Sequence, residues 1–136
     1  VSRRSEAIIE EQQRHMSNAV PAALDGLHQL KRDAIEMKEA LLRGRIIHMA
    51  DILNRSWEAK KQTAGDVSTS RIDELMALGL KSGARGGKVS GAGGGGYLMF
   101  IVPPERRLHL IRALNDAGST AGACRAAENG AAGWYR

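Results

Sequence analysis

Nine of the sixteen glycines in this 136-residue chain fall between Gly79 and Gly96, directly before the apolar run Tyr97 to Val102. No other feature restricts the fold as much. A stretch so poor in Cβ atoms cannot continue a helix, and it cannot supply core side chains. It must be a linker, a place where two backbones approach closely, or a loop whose successive N–H groups converge on an anion. The run abuts the most hydrophobic segment of the chain and is not padded with serine, which argues against a linker. Lys88 and Ser90 would add a charge and a hydroxyl at its rim. Chemistry alone leaves anion binding and tight backbone docking both open.

The apolar run "YLMFIV" is rich in aromatic and β-branched residues and is bounded by Gly and Pro, so it is expected to be a buried central strand. Around it the pattern is helical. Leu24, Leu27, Leu30, Ala34, Met37 and Leu41 recur at spacings of three and four from Pro21 to about Leu42, and Gly44 breaks the helix. A second helix carries Ile46, Ala50, Leu53 and Trp57 on one side, with Lys60 and Lys61 in its last turns, where cations suit the negative end of the helix dipole. A shorter helix is expected over Ser5 to Met16. Another starts at Ser70, with Asp73 completing a capping box, presents Ile72, Leu75, Met76 and Leu80, and ends near Gly79 or Gly83.

"PPERRLHLIRALNDAG" predicts a helix with Pro104 in its first turn, Leu108, Ile111 and Leu114 inward, and Gly118 at its end. A return strand is expected near Thr120 to Ala127. The order of helices, glycine loop, strand, helix and strand predicts an α+β domain, with helices packed on one face of a small antiparallel sheet. The length suits one domain over residues 1–136.

Two familiar phosphate motifs are excluded. Gly91, Gly93 and Gly96 match G-x-G-x-x-G, but that fingerprint needs a strand before it and a helix after it, and here a strand follows. The P-loop pattern fails because Val89 follows Gly87-Lys88 and Ser82 stands where its first glycine belongs.

The net charge of +5 favours anionic partners, but acidic residues are interleaved with the basic ones. Stacking aromatics beside basic residues are missing, so nucleic acid is not an expected partner. No stretch reads as a signal peptide or a membrane span, so no membrane partner is expected and a cytoplasmic location is the default. Because the chain begins with Val, it is expected to start inside a longer one. The single cysteine, Cys124, excludes an intrachain disulfide and is expected to be an inert buried thiol. His15, His28, His48 and His109 have no metal-ligand spacing, and no metal site is expected. Trp57 is read as core, and Lys31, Arg32, Asp33, Glu36 and Lys38 as a solvated helix face.

"GGKVSGAGGGGYLMF" (86–100) closely resembles the third conserved motif of the GHMP kinases, the small-molecule kinases of galactose, homoserine, mevalonate and phosphomevalonate. The resemblance extends through "LDGLHQLKRDAIEMKEALLRG" (24–44), "LNRSWEAKK" (53–61), "RIDELMALGLKSGARGGK" (71–88) and "PPERRLHLIRAL" (103–114), and is nearest the branch that phosphorylates sugar phosphates. It implies a ferredoxin-like C-terminal domain with additional N-terminal helices, whose loop closes over the place where ATP and an acceptor hydroxyl meet. By match to the motif, Lys88, Ser90, Gly91, Ala92, Gly93, Gly94 and Gly95 are the positions near the phosphates, and none need transfer a proton. Arg3, Arg4, Lys60 and Lys61 are weaker substrate candidates.

The implied reaction moves the γ-phosphoryl group of ATP, with Mg²⁺, to a sugar hydroxyl; a heptose 7-phosphate accepting at its anomeric hydroxyl is the expected substrate. The family's other phosphate loop, P-x-x-x-G-L-G-S-S-A in general form, occurs nowhere in the chain. The resemblance therefore implies no catalytic residue here, a separate N-terminal kinase domain as partner, no activity or bound cofactor for the chain alone, and self-association through apolar surface that such a partner would cover. Other readings left open are a kinase of fucose or of an unphosphorylated heptose, and a non-catalytic binding or regulatory module.

Overall fold

The computed structural model describes residues 2–125. Helices α1 (Ser2–Ser17), α2 (Pro21–Leu42) and α3 (Ile46–Lys61) lead through a 3-10 turn at Gly65–Val67 into α4 (Ser70–Lys81). Strands β1 (Gly86–Ser90) and β2 (Tyr97–Ile101) follow, then a 3-10 turn at Pro104–Arg106 and α5 (Arg107–Asp116). The α+β class and the small antiparallel sheet are as expected. The sheet pairs β1 with β2 from Gly86 opposite Ile101 to Ser90 opposite Tyr97.

Pro21 opens α2, where a missing N–H costs nothing, and Gly44 ends its run with φ of +64°. The most deeply buried face of α2 is not the predicted leucine stripe, of which Leu24, Leu27, Leu30 and Met37 are half-buried and Ala34 is exposed. It is the small-residue face holding Ala23, Gly26, Asp33 and Ala40, while Leu41 and Ile35 are exposed. Small residues let two helix axes approach, and a Cβ on Gly26 would lie 2.6 Å from the Ala59 carbonyl oxygen of α3. Asp33 is therefore buried at 1% exposure, not solvated. Its Oδ1 accepts from Arg55 Nε (2.7 Å) and Gln29 Nε2 (2.7 Å), and its Oδ2 accepts from Ser56 Oγ (2.8 Å). Burial alone would push this carboxyl up. The bonds from Arg55, Ser56 and Gln29, with the Arg55 charge, outweigh that and hold it below its ordinary value.

Strand β1 replaces what reads as loop in the sequence. Its Gly86 faces α3 so closely that a Cβ would stand 2.1 Å from the Ala50 carbonyl oxygen. One turn along α3, Asn54 Nδ2 donates to the Arg85 carbonyl (3.0 Å) and its Oδ1 accepts from Gly87 N–H (3.1 Å). The side-chain amide thus meets a donor and an acceptor of the strand that would otherwise need another partner.

Strand β2 is half-exposed rather than buried: Tyr97 is 82% exposed and Met99 also faces solvent, while Leu98 and Phe100 turn inward. One-sided burial follows from alternation in a thin sheet. Phe100 touches both hydrophobic cores, one around Ile8, Trp57, Val67, Met76 and Val89, the other around Ala84, Leu110 and Leu114. Trp57 is core, as expected.

Several local expectations change. Thr69, not Ser70, caps α4 by accepting from Ile72 N–H, and Asp73 instead accepts from Ser68 Oγ. Gly79 lies within α4 beneath the Phe100 ring, so Gly83 (φ +103°) marks the end, and Leu80 is exposed. In α5 the inward residues are Leu110 and Leu114; Leu108 is exposed. Residues 119–125 form no strand, and Ala126 and Ala127 of the expected return strand lie outside the described residues. Cys124 is exposed, not buried. Among the described residues no helix is long and apolar enough to cross a membrane.

Candidate phosphate-binding loop

The loop from Gly91 to Gly96 joins β1 to β2, so it is the connection of a hairpin. The dinucleotide fingerprint stays excluded, since a strand and not a helix follows. Much of the loop is docked rather than open. Gly93 has φ of +121°, and a Cβ there would lie 2.5 Å from the Val67 carbonyl oxygen, so both conformation and space demand glycine. The next N–H, of Gly94, donates to that same carbonyl at 2.9 Å. Ala92 packs onto the core that holds Ile8, Trp57 and Val67. Of the two roles the sequence leaves open for the glycines, tight backbone docking is the one realised at Gly93 and Gly94.

The start of the loop is held from α3. Lys60 Nζ donates to the Gly91 carbonyl oxygen. The register of α3 on β1 explains why it reaches. Ala50 lies against Gly86, and the ten residues from Ala50 to Lys60 rise about 15 Å along the helix. The five residues from Gly86 to Gly91 advance about 17 Å along the strand, so Lys60 arrives opposite Gly91. Lys88, half-buried on β1, lies close enough that its charge acts on Lys60. Burial first, and the Lys88 charge second, push the Lys60 ammonium below its ordinary value.

The structure therefore brings Lys60, Lys88 and Gly91 together. It sets Lys61 apart, paired with Glu58 Oε1 at 2.9 Å. Ser90 is exposed and, with Gly96 and Tyr97, is among the residues lining a groove of ≈1040 Å³ between β2 and α5. A Cβ on Gly95 would stand in open space. Arg3 and Arg4 belong to the first turn of α1, and their side chains lie outside the described ones. Val67 and Asn54, which position the loop and β1, were not singled out from the sequence. Asn54 lies within "LNRSWEAKK", yet nothing in a sequence shows an asparagine's partner two elements away.

No acidic side chain pairs with Lys60 or Lys88 among the described residues. Nor does any group of three or more His, Cys, Asp or Glu side chains there stand ready to hold a metal. Lysines about a glycine loop suit an anion and do not fit a divalent cation.

The family model described as the C-terminal region of the GHMP kinases matches residues 37–120. A D-glycero-alpha-D-manno-heptose 7-phosphate kinase of Campylobacter jejuni is 42% identical over 92 residues, covering 68% of this chain and 27% of that protein. An L-fucokinase/L-fucose-1-P guanylyltransferase of Bacteroides fragilis is 28% identical over 94 residues, covering 68% of this chain and 10% of that protein. The crystal structure of mevalonate kinase from methicillin-resistant Staphylococcus aureus superposes with a TM-score of 0.62 at 24% identity, over 74% of this chain and 34% of that one, a likeness of fold. The chain spans about a quarter of the length of the heptose phosphate kinase it matches. With a docked glycine loop between two strands and a family match over most of its length, the chain belongs to the GHMP kinases, as their C-terminal domain.

Proposed function

We propose that this domain serves an ATP-dependent sugar kinase whose acceptor is a D-glycero-D-manno-heptose 7-phosphate, phosphorylated at its anomeric hydroxyl. The observation that carries this reading is the pair of lysines, Lys60 and Lys88, set at the glycine loop without a carboxylate partner among the described residues. Two cations there favour reactants that bear phosphate. The 42% identity to a heptose 7-phosphate kinase, against 28% to a fucokinase, points the same way.

The contribution of the chain's own residues is positioning and charge. Val67 and Lys60 hold the loop, and Lys88 adds positive potential beside it. Phosphoryl transfer depends mainly on such positioning and charge neutralisation, so no proton-transfer residue is required of this domain. ATP supplies the phosphoryl group, and Lys60 and Lys88 are the residues that would lie against phosphate. Mg²⁺ would be held by the nucleotide and by carboxylates of the N-terminal domain. An N-terminal kinase domain is the partner in this reading, and the cytoplasm its location.

The test is a coupled ADP-release assay on a kinase chain that carries this domain together with its N-terminal domain. Heptose 7-phosphate, unphosphorylated heptose, fucose and mevalonate are offered in turn. Turnover chiefly of heptose 7-phosphate is expected. Turnover of only unphosphorylated sugars would remove the substrate assignment, and no turnover of any would favour a non-catalytic module.

A further inference from the structure

The Lys60 ammonium is an expensive group to hold where it is. It is half-buried, it has a second ammonium for a neighbour, and its hydrogen-bond partner is a neutral carbonyl, that of Gly91. An ammonium carries three donors, so this bond leaves two more. Lys61, one residue on, shows the ordinary solution, an ion pair with Glu58. Lys60 and Lys88 have no such pair among the described residues. Like charges placed together without a counterion are destabilising. They persist where something else compensates them.

We propose that Lys60 and Lys88 form a receptor for a terminal, dianionic phosphate group at the start of the glycine loop, and that Lys60 transfers its hydrogen bond from the Gly91 carbonyl to that phosphate. The site deepens the kinase reading, on which its biological use rests, but its existence can be tested separately. Two positive charges match the charge of a phosphate monoester at neutral pH, which is close to −2. Lysine serves as a flexible point-charge binder of phosphate, with donors free to turn from one acceptor to another.

The exchange has a structural consequence. The loop is held at Gly91 by Lys60 and at Gly94 by Val67. When Lys60 turns to phosphate, the first hold is released and the second remains. The segment from Gly91 to Ala92 then adjusts while Gly93 and Gly94 stay docked. Phosphate arrival and loop position are linked through one side chain, which makes Lys60 a positioning residue for the loop as well as a phosphate contact.

The shared chemistry has two sources, the acceptor sugar's own phosphate or the terminal phosphate of ATP. Both are tested on the 136-residue chain by amide and lysine-ammonium NMR, titrating first inorganic phosphate, then mannose 6-phosphate, then a non-hydrolysable ATP analogue, at constant ionic strength. Resonances of Lys60, Lys88 and Gly91 are expected to move together with phosphate, with little change at Gly94. Lys60→Gln and Lys88→Gln are each expected to weaken phosphate binding about tenfold or more, the size of one charge-assisted hydrogen bond. Lys60→Arg is expected to retain most of the binding, and unchanged α2 and α5 resonances verify the fold of each variant. A stronger response to the sugar phosphate than to the nucleotide assigns the site to the acceptor, and the reverse assigns it to ATP. No phosphate-dependent movement at Lys60 and Lys88, or equal binding by the glutamine variants, overturns the proposal. Binding here without turnover by the two-domain kinase would instead leave the site standing and remove the kinase reading.

Discussion

The ammonium of Lys60, in the last turn of α3, donates to the carbonyl of Gly91, thirty-one residues further along the chain. That bond ties the loop to a helix whose register is fixed elsewhere, at Ala50 and Gly86. Because the folded state pushes Lys60 below its ordinary value of 10.5, the folded protein binds fewer protons there than the unfolded chain does as pH approaches that value. This group's contribution to stability therefore rises with pH across that window. In urea unfolding between about pH 8 and pH 10, wild type is expected to gain stability relative to Lys60→Met. An identical pH slope in the two proteins would contradict the buried, repelled ammonium.

At Gly93 both φ and the nearby Val67 carbonyl oppose any side chain, whereas Gly91 has a positive φ but open space. Gly93→Ala is expected to cost about 2–4 kcal/mol and Gly91→Ala about 1 kcal/mol in chemical denaturation. Equal costs would mean that the loop does not sit on Val67.

The Asp33 carboxylate offers a test with the opposite pH sign. Its folded-state value is depressed, so its contribution is complete above the ordinary carboxylate range near 3.9 and is lost as pH falls through the folded value. Asp33→Asn is expected to cost about 1–3 kcal/mol at pH 7, discounted because the Arg55 side chain is 42% exposed. The gap between wild type and variant should narrow on acidification toward about pH 2. A gap that is constant with pH would place Asp33 outside the Arg55 and Ser56 network.

Gly86→Ala places a methyl group against the Ala50 carbonyl and must push α3 off β1. The expected cost is about 2–4 kcal/mol, with a weaker phosphate response at Lys60 as the register shifts. Loss of stability with no change in that response would separate the register from the loop.

Leu41 and Leu42 at the end of α2, and Ile46 and Ile47 at the start of α3, are exposed on either side of one turn. Clustered apolar surface of this kind favours association. Light scattering of the 136-residue chain is expected to show a mass that rises with concentration, reduced by Leu42→Asp with Ile47→Lys. A monomer at every concentration would rule this out.

The periodic helices were readable from the chain because spacing, proline and glycine act locally; Pro21–Leu42 and Ile46–Lys61 follow from such signals. What spacing does not reveal is which side of a helix another element will choose. Long leucines suggested one face of α2, but Gly26 and its small neighbours allow the closer approach, and Asp33 went inside with them. Strand β1 was hidden for a related reason. Gly86 and Gly87 lack the side chains that advertise a strand, because Ala50 and Phe100 occupy the space where side chains would project. Lys60 and Lys88 could be named from the sequence, whereas their nearness to each other depends on the register of α3 on β1. The docking of Gly93 on Val67 likewise joins residues far apart in sequence, with no motif to announce it.

The loop also rests on the beginning of the chain. Ile8 of α1 is buried in the core beneath Ala92, and its Cδ1 comes within 3.0 Å of where a Cβ on Gly94 would stand. Gln12 and His15 fasten the same helix to Thr63, just before the turn that carries Val67. Yet the family model matches residues 37–120, which begin after α1. Family match and mechanical support therefore have different borders here: a protein engineer who trimmed the chain to the matched residues would keep the whole glycine loop and remove one of the props beneath it.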